Sequence, residues 1–252
     1  MTTLPKTLPI AGIAVLTAFA SAACTSTLTG DEFAAEAPLV VSDSPLRSVS
    51  YVADYAQEGA VPFTCEVKLR SDGMIRRNYT WSEAEEPRTV SIVVNGSRTA
   101  KIDSAGAVSE LEGSAADMAK FFARLILAPE TAVASAERSV MNDNDGRARY
   151  VYWLDVSGVP GVSSCSVTAD PSSRLWTAFR AATPDDSFEV YSTFPEYRTV
   201  GGVMFPSRIV STTGGAPVRC TLHDVEINPE LPDALFELPD NQDRINAKQL
   251  QP

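Results

Sequence analysis

The sequence predicts a mainly β fold, an antiparallel meander interrupted by one strongly apolar helix. Three observations carry this. Short alternating or β-branched segments recur along most of the chain. Turn sequences separate them, among them Asn95-Gly96, Asp170-Pro171-Ser172-Ser173 and Gly201-Gly202. One long run, AADMAKFFARLILA (115–128), has apolar residues at helical spacing instead.

The first element is a targeting segment. Lys6 precedes Ile10 to Ala20, an uncharged apolar run of signal-peptide length and too short to span a bilayer. Ser21-Ala22-Ala23 reads as a small-residue cleavage site, and Cys24 follows it. This resembles the bacterial lipobox, with Ser21 where that motif favours Leu. Two readings follow. Cys24 is lipidated and opens the mature chain, or an ordinary signal peptidase cuts nearby and Cys24 is a plain thiol. The small, polar and acidic residues after Cys24 suit a flexible tether. The expected organisation is a signal peptide over 1–23, a tether over 24–45, a folded domain over 46–240 and a loose polar tail over 241–252.

The strands of the folded part follow in order. Phe63 to Leu69 (FTCEVKL) alternates, and Met74 to Trp81 is mixed polar and aromatic. Arg88 to Val94 runs into Asn95-Gly96, and Arg98 to Ile102 returns. The helix comes next. Ser114 is placed to cap it, Asp117 brings negative charge near its start, and Pro129 stops it. Met118, Phe121, Phe122, Leu125 and Ile126 form its apolar stripe, with Lys120 and Arg124 on the wet face. Six more strand-like stretches follow: Glu137 to Met141, Arg149 to Val156, Ser163 to Ala169, Arg174 to Arg180, Phe188 to Phe194 and Val203 to Ser211. Val218 to Ile227 is the last.

Composition bounds the function. The 252 residues are 44% hydrophobic, enough for a sizeable core, and carry a net charge of −11. That charge excludes nucleic acid as a partner and disfavours broad attachment to an anionic membrane. Any membrane link is through lipid or apolar surface. His223 is the only histidine, so a two-histidine metal motif is impossible. It reads as a surface or structural residue, and an enzyme, a hydrolase relying on His223, is the third-ranked hypothesis. Asp143-Asn144-Asp145-Gly146 reads as a hairpin turn, because a calcium loop in that register would put Met141 and Tyr152 where oxygen ligands are required. Neither metal nor cofactor is expected. Cys65, Cys165 and Cys220 each sit in a strand-like stretch and read as small buried apolar residues, although the compartment would permit one bridge.

The C-terminal third carries a family resemblance. Phe194 to Ile209 (FPEYRTVGGVMFPSRI) resembles the "YR-x-V-x-G-V-x-x-P-x-x-I" stretch of the LolA-like outer-membrane lipoprotein-sorting family. Val225 to Pro239 (VEINPELPDALFELP) is similar to that family's ending, and Val167 to Trp176 to its strand, Asp-turn, strand element. The motif residues have readable physical roles: Gly201-Gly202 as a tight turn, Pro206 at a strand start or edge, Phe236 as a hydrophobic anchor at the end of the sheet.

The resemblance implies a curved antiparallel sheet, an incomplete barrel, covered by apolar lid helices around a cavity for acyl chains. It implies lipid acyl chains or lipoproteins as partners, and a place in a bacterial envelope facing the periplasm. A lipidated Cys24 would hold the chain to a membrane, the outer in preference to the inner. That departs from a soluble shuttle and favours reception, tethered binding or sensing. The cavity residues expected on this reading are Met118, Phe121, Phe122, Leu125 and Ile126 from the lid, with Tyr152, Trp153, Trp176 and Phe188 from the sheet. The alternative is a non-enzymatic interaction or envelope-stress-sensing module with a solid core, an envelope protein as its partner and no lipid.

Overall fold

The computed structural model of the protein describes residues 27–28 and 46–239, apart from 84, 97, 112, 134–135, 143–144, 160–161, 174, 183–188 and 213–215. Cys24, Phe188, the expected signal peptide and the tail from 241 lie outside the described residues, as does the side chain of Met118.

Among the described residues there are fourteen strands. They are β1 (Thr27–Leu28), β2 (Ser48–Gln57), β3 (Phe63–Arg70), β4 (Ile75–Glu83), β5 (Glu86–Asn95), β6 (Arg98–Ile102), β7 (Val108–Glu110), β8 (Glu137–Asn142), β9 (Ala148–Trp153), β10 (Ser164–Ala169), β11 (Trp176–Ala182), β12 (Glu189–Val200), β13 (Val203–Thr212) and β14 (Val218–Ile227). Helix α1 (Gly113–Leu127) and the short α2 (Pro129–Val133) separate β7 from β8, and a 3-10 turn covers Asp233–Phe236. The hydrogen-bonded order is β1-β8-β9-β10-β11-β12-β13-β14-β2-β3-β4-β5-β6-β7. β1 and β7 end the ladder, so the sheet is open and not closed into a barrel.

Most predicted strands stand within two or three residues of their expected limits. β9 stops at Trp153, three residues before the expected end. Pro129 stops α1, but it also opens α2, where its fixed φ and missing N–H suit a first helical position. Pro206 lies inside β13 rather than at a strand start or edge. β2 was not anticipated, although Val49, Tyr51, Ala53 and Tyr55 alternate along it. β1 falls within the stretch read as a tether and pairs with β8.

The chain forms two compact units. One holds Val40–Pro129, Arg198–Phe205 and the segment from Thr221; it contains α1. The other holds Glu130–Tyr197 and Pro206–Cys220.

In the helix-bearing unit the C-terminal segment is tied down residue by residue. Asn228 adopts φ 56° and turns the chain after β14. Its Oδ1 accepts from the Arg47 amide at 2.6 Å, and its own amide donates to Ser48 O at 2.9 Å. Arg70 then donates to Leu231 O at 3.0 Å and lies over the Phe236 ring at 5.4 Å. Arg76 donates to Leu235 O at 2.9 Å, and Asn95 to Phe236 O at 3.0 Å. Phe236, 0% exposed, packs with Val93 and Leu231, and Met74, Ile102, Leu235 and Leu238 close round them. The anchor therefore sits on one face of β4 and β5, at the end where β3 finishes at Arg70 and β5 at Asn95.

Other motif residues are structural too. Gly201 and Gly202 both take positive φ, and a Cβ on Gly201 would stand 3.3 Å from that of Ile227. In the second unit Asp170 accepts from the amides of Ser172 and Ser173, each at 2.9 Å, and from Arg149 at 2.6 Å. The Ser173 amide foremost holds its carboxyl below the usual range. Tyr197 donates to Trp176 O at 2.8 Å. Cys65, Cys165 and Cys220 are buried and are not bridged to one another.

The Phe236→Ala variant is expected to lose about 3–5 kcal/mol of stability, the range for emptying a buried aromatic site. Urea unfolding followed by tryptophan fluorescence checks this.

Candidate functional site

In the helix-bearing unit, strand register sets up four rows of side chains on the face opposite Phe236. Tyr55, Phe63, Trp81 and Arg88 form the first row across β2 to β5. Ala53, Cys65, Tyr79 and Val90 form the second, and Tyr51, Val67, Arg77 and Ile92 the third. Val49, Leu69, Ile75 and Val94 form the fourth. Period-two alternation puts all of them on one side of the sheet.

Burial changes steadily along these rows. The fourth row is completely buried, so its side chains touch no space wide enough for a water molecule. The third row is buried as well, including Arg77 at 1% exposure. In the second row Tyr79 and Val90 are half-buried, and in the first so are Phe63, Trp81 and Arg88. Tyr55 and Phe63 stack at 4.5 Å with 12° between their planes, and Phe63 meets Tyr79 at 6.1 Å. Val61, beside this aromatic end, is 56% exposed.

Helix α1 packs against β3, β4 and β6. The C-terminal segment occupies one face of the sheet, so α1 covers the other. Its buried residues are Ala119, Phe122, Ala123, Leu125 and Leu127. Phe121 and Ile126 are half-buried at the margin of that stripe, with Arg124 exposed. Phe121 and Phe122 meet edge-on at 5.4 Å. The expected lid residues thus divide: Phe122 and Leu125 are core of this unit, Phe121 and Ile126 lie at its edge.

The described ones among the expected sheet residues, Tyr152, Trp153 and Trp176, are in the second unit. Tyr152 is completely buried in a row made by Arg138, Val167, Phe179 and Ser192, across β8 to β12. Arg138 stands 4.6 Å over the Tyr150 ring. Ser192 and Ser211 share a hydrogen bond at the end of that row. Trp153 is consecutive with Tyr152 and faces the other side of the sheet, paired with Glu137 and Ser166. Trp176 is half-buried and pairs with Ala169 at a bulge. Tyr152 and Trp153 therefore cannot line one surface. The aromatic cluster of Tyr55, Phe63 and Trp81 in the first row and Tyr79 in the second was not predicted. The signal was available, since Ile75, Arg77, Tyr79 and Trp81 alternate within one stretch.

His223 offers no nucleophile arrangement. Its Nδ1 lies 2.8 Å from Asp224 Oδ2 and its Nε2 3.0 Å from Asp54 Oδ2, so both ring nitrogens face carboxylates. Thr64 donates to Asp54 from the other side at 2.7 Å. This is an ion clasp on the surface. The hydrogen bond to Asp224 foremost raises the His223 pKa; burial opposes it, and Asp54 adds to the rise. Among the described residues no group of three or more His, Cys, Asp or Glu side chains is arranged to hold a metal ion.

The geometry defines a LolA-like fold, an open antiparallel sheet with an apolar helix over one face. The chain is similar in structure to a LolA superfamily protein from Nitrosomonas europaea, with TM-score 0.56 and 13% identity over 84% of this chain and 98% of that one. It is also similar to a DUF1329 family protein from Desulfovibrio piger, at 0.55 and 14% over 77% and 91%. A domain from Vibrio parahaemolyticus described as an outer membrane lipoprotein-sorting protein matches at 0.52 and 10%, over 79% and 90%. At these identities the likeness establishes the fold. No protein-family model matches the chain, and no curated protein matches it in sequence.

Protonated His223 binds both carboxylates, and its folded-state pKa is raised. Its contribution is therefore complete below the unfolded value of about 6.5 and is lost as pH rises through the folded value. The expected outcome is a denaturation midpoint that falls between about pH 6 and about pH 8 in the native chain and changes less in His223→Gln. Urea titrations at the two pH values check it.

Proposed function

We propose that this protein binds acyl chains of a lipid or lipoprotein on the sheet face beneath α1, as a tethered receptor, binder or sensor in a bacterial envelope. The observation that carries the reading is the graded face under α1. It is apolar and closed at one end, and half-exposed and aromatic at the other. A solid core alone gives no reason to leave Phe63, Tyr79 and Trp81 half-exposed on a face that is sealed two rows further along. The fold adds support, since one structural neighbour is described as a lipoprotein-sorting domain and lipoproteins carry acyl chains.

Magnitudes favour the exchange that binding requires. Each buried methylene contributes about 0.8 kcal/mol, so an acyl chain of a dozen methylenes contributes roughly 10 kcal/mol. Uncovering Phe122, Leu125 and Leu127 costs about 1.5–3 kcal/mol for each side chain. One long chain therefore offsets displacement of α1. The fully buried rows mean that the site opens on binding and does not stand open beforehand.

That same complete burial favours a second reading, a protein-interaction module whose core stays closed. Native mass spectrometry of the full chain, gently extracted from a bacterial envelope, separates the two. A lipid or lipopeptide bound near one to one is the expected result. A clean apo mass with no uptake of an added acyl probe would move the interaction module to the front. Phe121→Ser, at the half-buried margin, is expected to lower uptake several-fold with the circular dichroism spectrum unchanged.

We further propose that Cys24 is the lipid attachment site. Labelled palmitate fed to expressing cells should enter the native chain and be absent from Cys24→Ser. Equal labelling of the two would remove the anchor.

A further inference from the structure

Arg77 is the one charged residue in the apolar rows under α1 that is wholly buried, and the acyl-binding reading gives it no role. It stands in the third row, between Val67 and Ile92. Tyr79 is hydrogen-bonded to Arg77 and to the Cys65 thiol. Among the described residues, the side chains acting most strongly on the guanidinium are Tyr79, Tyr51, Cys65 and Tyr55. All four are neutral groups at physiological pH. Burial pushes the Cys65 thiol up to about 12 and holds the Tyr79 phenol well above its ordinary range.

The chemistry of this cluster is specific. A guanidinium presents two parallel N–H donors, the geometry that matches a carboxylate. A tyrosine hydroxyl that accepts from arginine can turn and donate to an incoming anion. In a dry surrounding such bonds are stronger than in water. Position limits the ligand further. The row beyond Arg77 is closed, and the rows before it lead out over Tyr79, Phe63 and Trp81. Two rows separate Arg77 from the aromatic end, about 13 Å at the rise of a strand. A ligand entering there meets the charge with its leading end and leaves its apolar tail along the aromatic rows.

We propose that Arg77, with the hydroxyls of Tyr79 and Tyr51, binds the carboxylate of a long-chain fatty acid that enters head-first beneath α1. The inference rests on the acyl-binding reading and names the ligand class for that site.

The test is fluorescence titration of the full chain with cis-parinaric acid and with its methyl ester, which share a tail and differ in charge. The native protein should bind the acid about ten-fold or more tightly than the ester. Arg77→Gln should bring the acid down to the affinity of the ester and leave the ester unchanged. Tyr79→Phe should give a smaller loss for the acid alone. Equal affinity of the native protein for acid and ester overturns the headgroup assignment and leaves the acyl reading standing. That comparison needs no variant to fold. A folded Arg77→Gln protein that still prefers the acid overturns it as well. Binding of neither probe defeats the acyl reading and the carboxylate site with it.

Discussion

Strand alternation in β2 to β5 produces a sheet with apolar residues on both faces, and each face must be covered from elsewhere in the chain. Val93 with Met74 lies on one side, Val49, Val67, Leu69 and Ile75 on the other. The remaining features of the helix-bearing unit answer that requirement. The C-terminal segment covers the first face and α1 the second. A single register slip in any of these strands would exchange the two faces and leave both covers without partners.

The two covers are built differently. The C-terminal segment brings Leu231 and Phe236, and its backbone carbonyls are held by Arg70, Arg76 and Asn95. Directional bonds of this kind fix a segment in one place. The described cover from α1 is made of Ala119, Phe122, Ala123, Leu125 and Leu127. Apolar contact is non-directional, so an acyl chain of similar area can replace it. On the proposed reading, one face serves as a permanent seam and the other as an exchangeable one. Arg77 breaks the apolar character of the exchangeable face only. Burying a guanidinium is costly, and on the proposed reading Arg77 is kept there to meet a ligand headgroup.

Much of this was legible in the sequence. Alternation in FTCEVKL and the Asn95-Gly96 turn gave the hairpins of β3 to β6, because one period and one dipeptide specify them locally. The stripe of Phe122 and Leu125 gave α1. The C-terminal motif residues Asn228, Leu231 and Phe236 proved to be parts of a clasp, which explains why they mark a fold and not a ligand. The site was less legible. Tyr152 and Trp153 are equally aromatic, but consecutive strand residues face opposite ways, and only the register shows which way. Arg77 and the aromatic cluster of the proposed site come together only when β2, β3 and β4 stand side by side, which the pattern of no single strand specifies. Cys24 and Phe188 lie outside the described residues.

The central claim is that α1 is a removable cover over an acyl site. Hydrogen exchange of the full chain, read by mass spectrometry with and without cis-parinaric acid, tests it most directly. The account predicts that the amides of α1 exchange well before those of β3 and β4 in the ligand-free protein, and slow when the probe is bound. Amides of α1 as protected as those strands, and unchanged at saturating probe, would contradict it.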